Sequence, residues 1–164
     1  MTDRLKVLYY LFLVALVFYV AGASIVESHV NYPTWHLVGQ DGFANFHKAV
    51  GSRIVPIMVL PWLLEIVLTF GLIWIRPWRI PLSAILLVQA FNLIALISSV
   101  FIQIPVQFQL ESNGYSQHAI DTLIATDPIR WGSLILKVSV YLWMLTRLTQ
   151  TLGENRAQAK TDAV

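Results

Sequence analysis

Long apolar runs separated by short polar breaks dominate the pattern of this chain. Val7 to Val26 carries no charged residue, Ile54 to Ile75 carries one, Glu65, and Ile80 to Leu110 carries none. A fourth run, Trp131 to Leu152, carries Lys137 and, near its end, Arg147. Crossing the hydrocarbon core of a bilayer takes about 20 mostly apolar residues, and such a segment must satisfy its own backbone hydrogen bonds as a helix. The pattern predicts an all-α fold, an integral membrane four-helix transmembrane bundle with spans over about 7–26, 54–75, 80–104 and 130–150. The third span is expected to stop near Ile104, because Pro105 pushes the residue before it out of the helical region.

The breaks carry their own signals. Between the first two spans, Asp41 is placed to cap a helix that begins near Phe43 and runs into span two. Ser116 can cap a short amphipathic helix whose Ile120, Leu123 and Ile124 share one face, expected to lie on the membrane surface. Asp127 followed by Pro128 reads as the N-cap and first position of span four. Trp74 and Trp78 flank a short turn, while Trp35 and Trp131 mark the opposite boundary, as interfacial aromatic residues do.

Composition agrees with the pattern: 57% of residues are hydrophobic, 12% are charged, and the mean hydropathy is +0.65. Such a chain is too apolar for an ordinary soluble domain. The spans leave room for a single transmembrane domain over 1–152 and a polar tail, 153–164, expected to fray on the cytoplasmic side. Ala21-Gly22-Ala23 imitates a signal-peptide cleavage site, but the run before it is long for such a segment, so a retained span is expected. Cysteine is absent, which excludes disulfides, thiolate ligands and cysteine nucleophiles. The net charge of +2 is scattered, with no nucleic-acid surface. Arg4, Lys6, Arg76, Arg79, Arg147, Arg156 and Lys160 fall on one side, against Lys48, Arg53 and Arg130 on the other, which predicts cytoplasmic termini in a cell membrane.

Polar residues within the spans show which faces turn inward. Gln89, Asn92, Ser99 and Gln103 follow one helical face of span three. Glu65 and Asn92 fall at similar depth in antiparallel neighbours, and Lys137 lies near the midplane of span four, so Glu65 is its natural counter-ion. An isolated charge at a helix centre costs at least ~2.5 kcal/mol, which favours pairing or neutralisation. Two readings stay open: interhelical polar contacts worth ~0.6 kcal/mol each, or the lining of a functional cavity. Pro56 and Pro61 predict a kink within span two, and Gly71 and Gly22 permit close helix contact.

All four histidines, His29, His36, His47 and His118, lie outside the spans, and the charge bias puts them on the extracytoplasmic side near Glu27 and Asp41. His47 begins the face of span two that leads to Glu65, but the two are about 27 Å apart and cannot share a metal. Its expected partners are therefore His29, His36, Glu27, His118, Gln103 or Gln107. No H-E-x-x-H spacing occurs, so metal or haem rests only on a weak set of His47, His36 and His29.

The stretches YPTWHLVGQDGFANFHKAVGSRIVPIMVLPWLLE and QIPVQFQLESNGYSQHAIDTLIATDPIRW resemble small bacterial four-helix membrane proteins similar to the anthrone-oxygenase-like family. The matching positions are Pro33, Phe46, His47, Glu65, Pro105, Leu110, Arg130 and Trp131. The resemblance implies oxidation of a polycyclic phenolic or similarly apolar substrate, without an established cofactor. The expected function is thus an oxidoreductase or oxygenase-like enzyme acting in a cavity between spans two, three and four. Glu65, His47, Lys137 and Arg130 are its candidate catalytic groups, and Gln103, Asn92 and Gln89 its candidate binding groups. The alternatives are a small transporter component and a structural or assembly subunit, with the bilayer, an apolar small molecule, a second copy or a membrane complex as partners.

Overall fold

A computed structural model describes the backbone of residues 2–161 and the side chains of residues 2–150. It contains α1 (Asp3–Leu37), α2 (Phe43–Ile75), α3 (Leu82–Asn113), the short α4 (Gln117–Thr126) and α5 (Pro128–Thr161). Among the described residues there is no strand. Packing of α1 on α2, α2 on α3, α3 on α5 and α5 on α1 closes the four long helices into a ring. α1, α2 and α3 are each long and apolar enough to cross a membrane; α5 is not among them. Large apolar side chains such as Phe12, Val67, Phe70 and Phe101 point outward and are more than half exposed.

The interior has two apolar ends and a polar middle. At the end holding the Arg76–Ile80 turn, Tyr10, Leu13, Val17, Leu72, Ile85, Tyr141 and Met144 interlock. The opposite, roofed end is built on Tyr32, Trp35, Phe43, Leu110, Ile120 and Leu123. α1 and α2 approach closely towards the turn end, where a Cβ on Gly71 would stand 2.5 Å from the Tyr9 hydroxyl. That hydroxyl donates to the Leu68 carbonyl at 2.6 Å.

Two expected boundaries are corrected by one device. α3 does not stop at Ile104: a π turn over Ser99–Gln103 carries it past Pro105 to Asn113. The Ile104 N–H donates to the Ser99 carbonyl, five residues back, which spaces the backbone away from the incoming proline ring. The same arrangement occurs at Glu27–Asn31 before Pro33 and at Val55–Val59 before Pro61. α1 therefore continues through Glu27–Leu37 of the first polar break, and none of the three prolines ends its helix.

Other local expectations divide. Ser116 caps α4 as expected, its Oγ accepting the Ala119 N–H at 3.3 Å. The apolar face of α4 is not laid on a lipid surface, because Ile120 and Leu123 are fully buried in the roof. Trp35 is likewise a roof core residue, 3% exposed, and not a boundary marker. Asp41 does not cap α2: Gly42, at φ 110°, turns the chain and accepts the Phe46 N–H with its carbonyl. The first donors of α5 go to the Asp127 carbonyl, at 2.8 Å from Arg130 and 3.1 Å from Trp131, while its buried carboxylate makes no hydrogen bond. α5 also runs through the expected 153–164 tail as far as Thr161, where Glu, Arg, Ala, Gln and Lys extend a helix already nucleated.

Candidate functional site

A buried ionic layer crosses the middle of the ring. Lys137 Nζ donates to Glu65 Oε2 at 2.6 Å and to Asn92 Oδ1 at 2.9 Å. Thr69 Oγ1, one helical turn from Glu65, donates to Oε1 at 2.8 Å and meets the Tyr141 hydroxyl at 2.7 Å. Asn92 Nδ2 donates to Gln89 Oε1 at 3.3 Å and to Glu65 Oε1 at 3.4 Å. Glu65 is 0% exposed and Lys137 2%, so the pairing expected from depth is present. Close geometry and extra hydrogen bonds offset the desolvation of two charges that neither could bear alone.

The layer is closed towards the turn end, where Tyr10 donates to the Tyr141 carbonyl at 2.8 Å beneath packed apolar residues. On the other side it meets a void of about 40 Å³ bordered by Asn92, Ser99, Ser133, Lys137 and Arg130. That space suits about two water molecules.

Beyond it, at the roofed end, lies a chamber of about 380 Å³. α1 contributes Glu27, Tyr32 and Trp35; α2 contributes His47, Met58 and Trp62; α3 contributes Gln103, Gln107 and Phe108; α5 contributes Arg130 alone. The chamber expected between spans two, three and four is thus formed mainly by the first three helices. Glu65, Lys137, Asn92 and Gln89 do not line it. Of the expected catalytic groups, His47 and Arg130 reach the chamber, together with Gln103 from the binding set.

His47 is held from three sides. Its Nε2 stands 2.6 Å from Gln107 Oε1, and its ring lies edge-on to Trp35 and stacked on Phe43. Gln107 Nε2 donates to the Tyr32 hydroxyl at 3.3 Å, which leaves the Gln107 oxygen to accept from His47. The buried Nδ1 on the other side of the ring has no hydrogen-bond partner. Arg130 Nη1 donates to the same Tyr32 hydroxyl at 3.4 Å, and its Nε faces Asp127 at 3.4 Å. Buried Glu27 is held by Asn31 from the following helical turn. Gln103 Nε2 donates to Thr126 Oγ1 at 2.9 Å, tying α3 to α4.

The proposed metal set is not brought together. His47 is committed to Gln107, His36 pairs with Asp121 at 3.2 Å, and exposed His29 touches the Ile25 carbonyl and the Trp131 ring. His118 is exposed on α4. Among the described residues, no group of three His, Asp or Glu side chains is arranged to hold a metal ion. The reason is topological: the roof places these histidines on separate faces of α1, α2 and α4.

Sequence reading missed Tyr32, Trp35 and Trp62 in the chamber, and Thr69 and Tyr141 beside the ion pair. Thr69 had a usable signal, its four-residue step from Glu65. No family model, curated protein or solved structure matches the chain, so the likeness to anthrone-oxygenase-like proteins gains no support from these comparisons.

Proposed function

We propose that this chain is a multi-pass membrane protein that takes a small apolar molecule bearing a hydroxyl or carbonyl group into the roofed chamber and acts on it as an oxidoreductase-type enzyme. The observation that carries this reading is the convergence of His47, Gln107, Tyr32 and Arg130 on one mostly apolar chamber, the usual make-up of a small-molecule site. His47 acts as a positioning residue: its Nε2 holds Gln107 Oε1, which keeps the Gln107 amide on the Tyr32 hydroxyl, while its Nδ1 is sealed from the chamber. Arg130 and Tyr32 orient the substrate oxygen. The ionic layer of Glu65, Lys137 and Asn92 anchors the floor and does not touch substrate.

Charge placement supports a cytoplasmic turn end: Arg4, Lys6, Arg76 and Arg79 gather there, against Lys48, Arg53 and Arg130 at the roof. The chamber then opens extracytoplasmically. A transport route is the weaker reading, because packed Tyr10, Leu13, Leu72 and Met144 close the polar interior at the turn end.

Dioxygen consumption by detergent-purified protein with a hydroxylated polycyclic phenol tests the proposal. We expect turnover by the unaltered protein and a loss of about 10²-fold in His47→Ala, the scale of a misplaced substrate-orienting group. Absence of both turnover and phenol binding would overturn it.

A further inference from the structure

A second cavity, a groove of about 720 Å³, opens between the upper halves of α1 and α2. Its walls include Phe18, Gly22, Val26, Phe46 and Ile57, and it shares Glu27, Trp35, Val50, Ile54 and Met58 with the chamber. The two spaces are therefore adjoining, one inside the helix ring and one on its flank. At the lower end of the groove, the Tyr19 hydroxyl donates to the Ile57 carbonyl at 2.8 Å and closes the seam. Above that point α2 winds through the π turn at Val55–Val59, and Gly22 presents no side chain. A Cβ at Gly22 would meet nothing within 4 Å, so the space beside it is open.

We infer that groove and chamber together form one site for a single-tailed membrane amphiphile, with its uncharged, oxygen-bearing head in the chamber and its apolar tail along the groove. This inference deepens the proposed function and rests on it for the head. The tail follows from the groove itself, which is larger than the chamber, overwhelmingly apolar in lining, and set on an outward face of helices long and apolar enough for a bilayer. An uncharged head follows from the charge balance. The joint lining holds Glu27 and Glu111 against Arg53 and Arg130, with Asp127 also facing Arg130, so an anionic head finds no excess of positive charge. A cationic head would in turn displace Arg130 from Tyr32. Hydroxyl and carbonyl oxygens suit the donors and acceptors of Gln107, Tyr32 and Arg130 without adding charge.

The test uses decylubiquinone and its tailless benzoquinone on the full-length protein in detergent, with quenching of Trp35 and Trp62 as the readout. Gly22→Ala, Gly22→Leu and Gly22→Phe fill the groove in steps, and thermal melting follows the fold. The expected result is progressive weakening for the tailed quinone alone, reaching about tenfold in Gly22→Phe, the equivalent of roughly two lost buried methylenes. Tailless binding stays unchanged throughout. Unchanged tailed binding across the series, or equal loss for both probes, overturns the groove assignment while leaving the chamber reading standing. Failure of the unaltered protein to bind either quinone, with phenol binding also absent, sinks the chamber reading and the groove with it.

Discussion

At the scale of single residues, the ion pair decides most. Glu65→Gln leaves Lys137 charged and buried, and Lys137→Met leaves Glu65 likewise; each is expected to cost about 3–5 kcal/mol, as breaking one side of a buried pair does. The double change removes both charges and should recover much of that loss, because a pair held in a dry interior adds little net stability over apolar groups of similar size. Thermal or denaturant unfolding of the three variants in detergent measures this, and additive losses would show that the pair is not coupled. This pair was legible in the sequence, since charges are rare in apolar spans and their depths follow from the rise of a helix. Tyr32 and Trp35 were not legible, because they lie in a polar break that reads as a loop until the helix is seen to run through it.

At the scale of elements, the recurring unit is a π turn followed two residues later by proline. Pro61 brings no N–H, which leaves the preceding turn of α2 short of a donor, and Tyr19 of α1 supplies one to Ile57. Tyr19→Phe should therefore cost about 1 kcal/mol in unaltered α2, and clearly less when Pro61→Ala restores a local donor. A double-mutant cycle on melting free energies reads the coupling, and zero coupling would show that the proline does not create the need for Tyr19. Sequence periodicity held on the chamber side despite these turns: His47, Gly51, Ile54 and Met58, spaced by four, three and four, all line it, as do Ser99 and Gln103 of α3. The helix starts at Phe43 and Pro128 were legible, but their caps were not: at Gly42 and Asp127 backbone carbonyls do the work expected of carboxylates.

At the scale of the whole molecule, the number and order of the long helices were readable from apolar runs alone, and so was the inward polar face of α3. The helix pairing around the chamber was not, because α1 reaches it through a stretch that reads as a polar break. With no native cysteine, single cysteines introduced at exposed Lys48 and His118 report sidedness directly. In intact cells both are expected to react with a membrane-impermeant maleimide, while one introduced at exposed Trp78 stays protected. Labelling at Trp78 and protection at the other two would reverse the proposed orientation.

The 72 residues that separate Glu65 from Lys137 carry a consequence for biogenesis. While the ribosome is still making α3, the carboxylate of α2 has no cation to meet. Until the last helix arrives, that acid has to be kept out of apolar surroundings by something other than its final partner. A product cut short before Lys137 therefore bears an unmatched buried acid, and the last helix is what completes the interior.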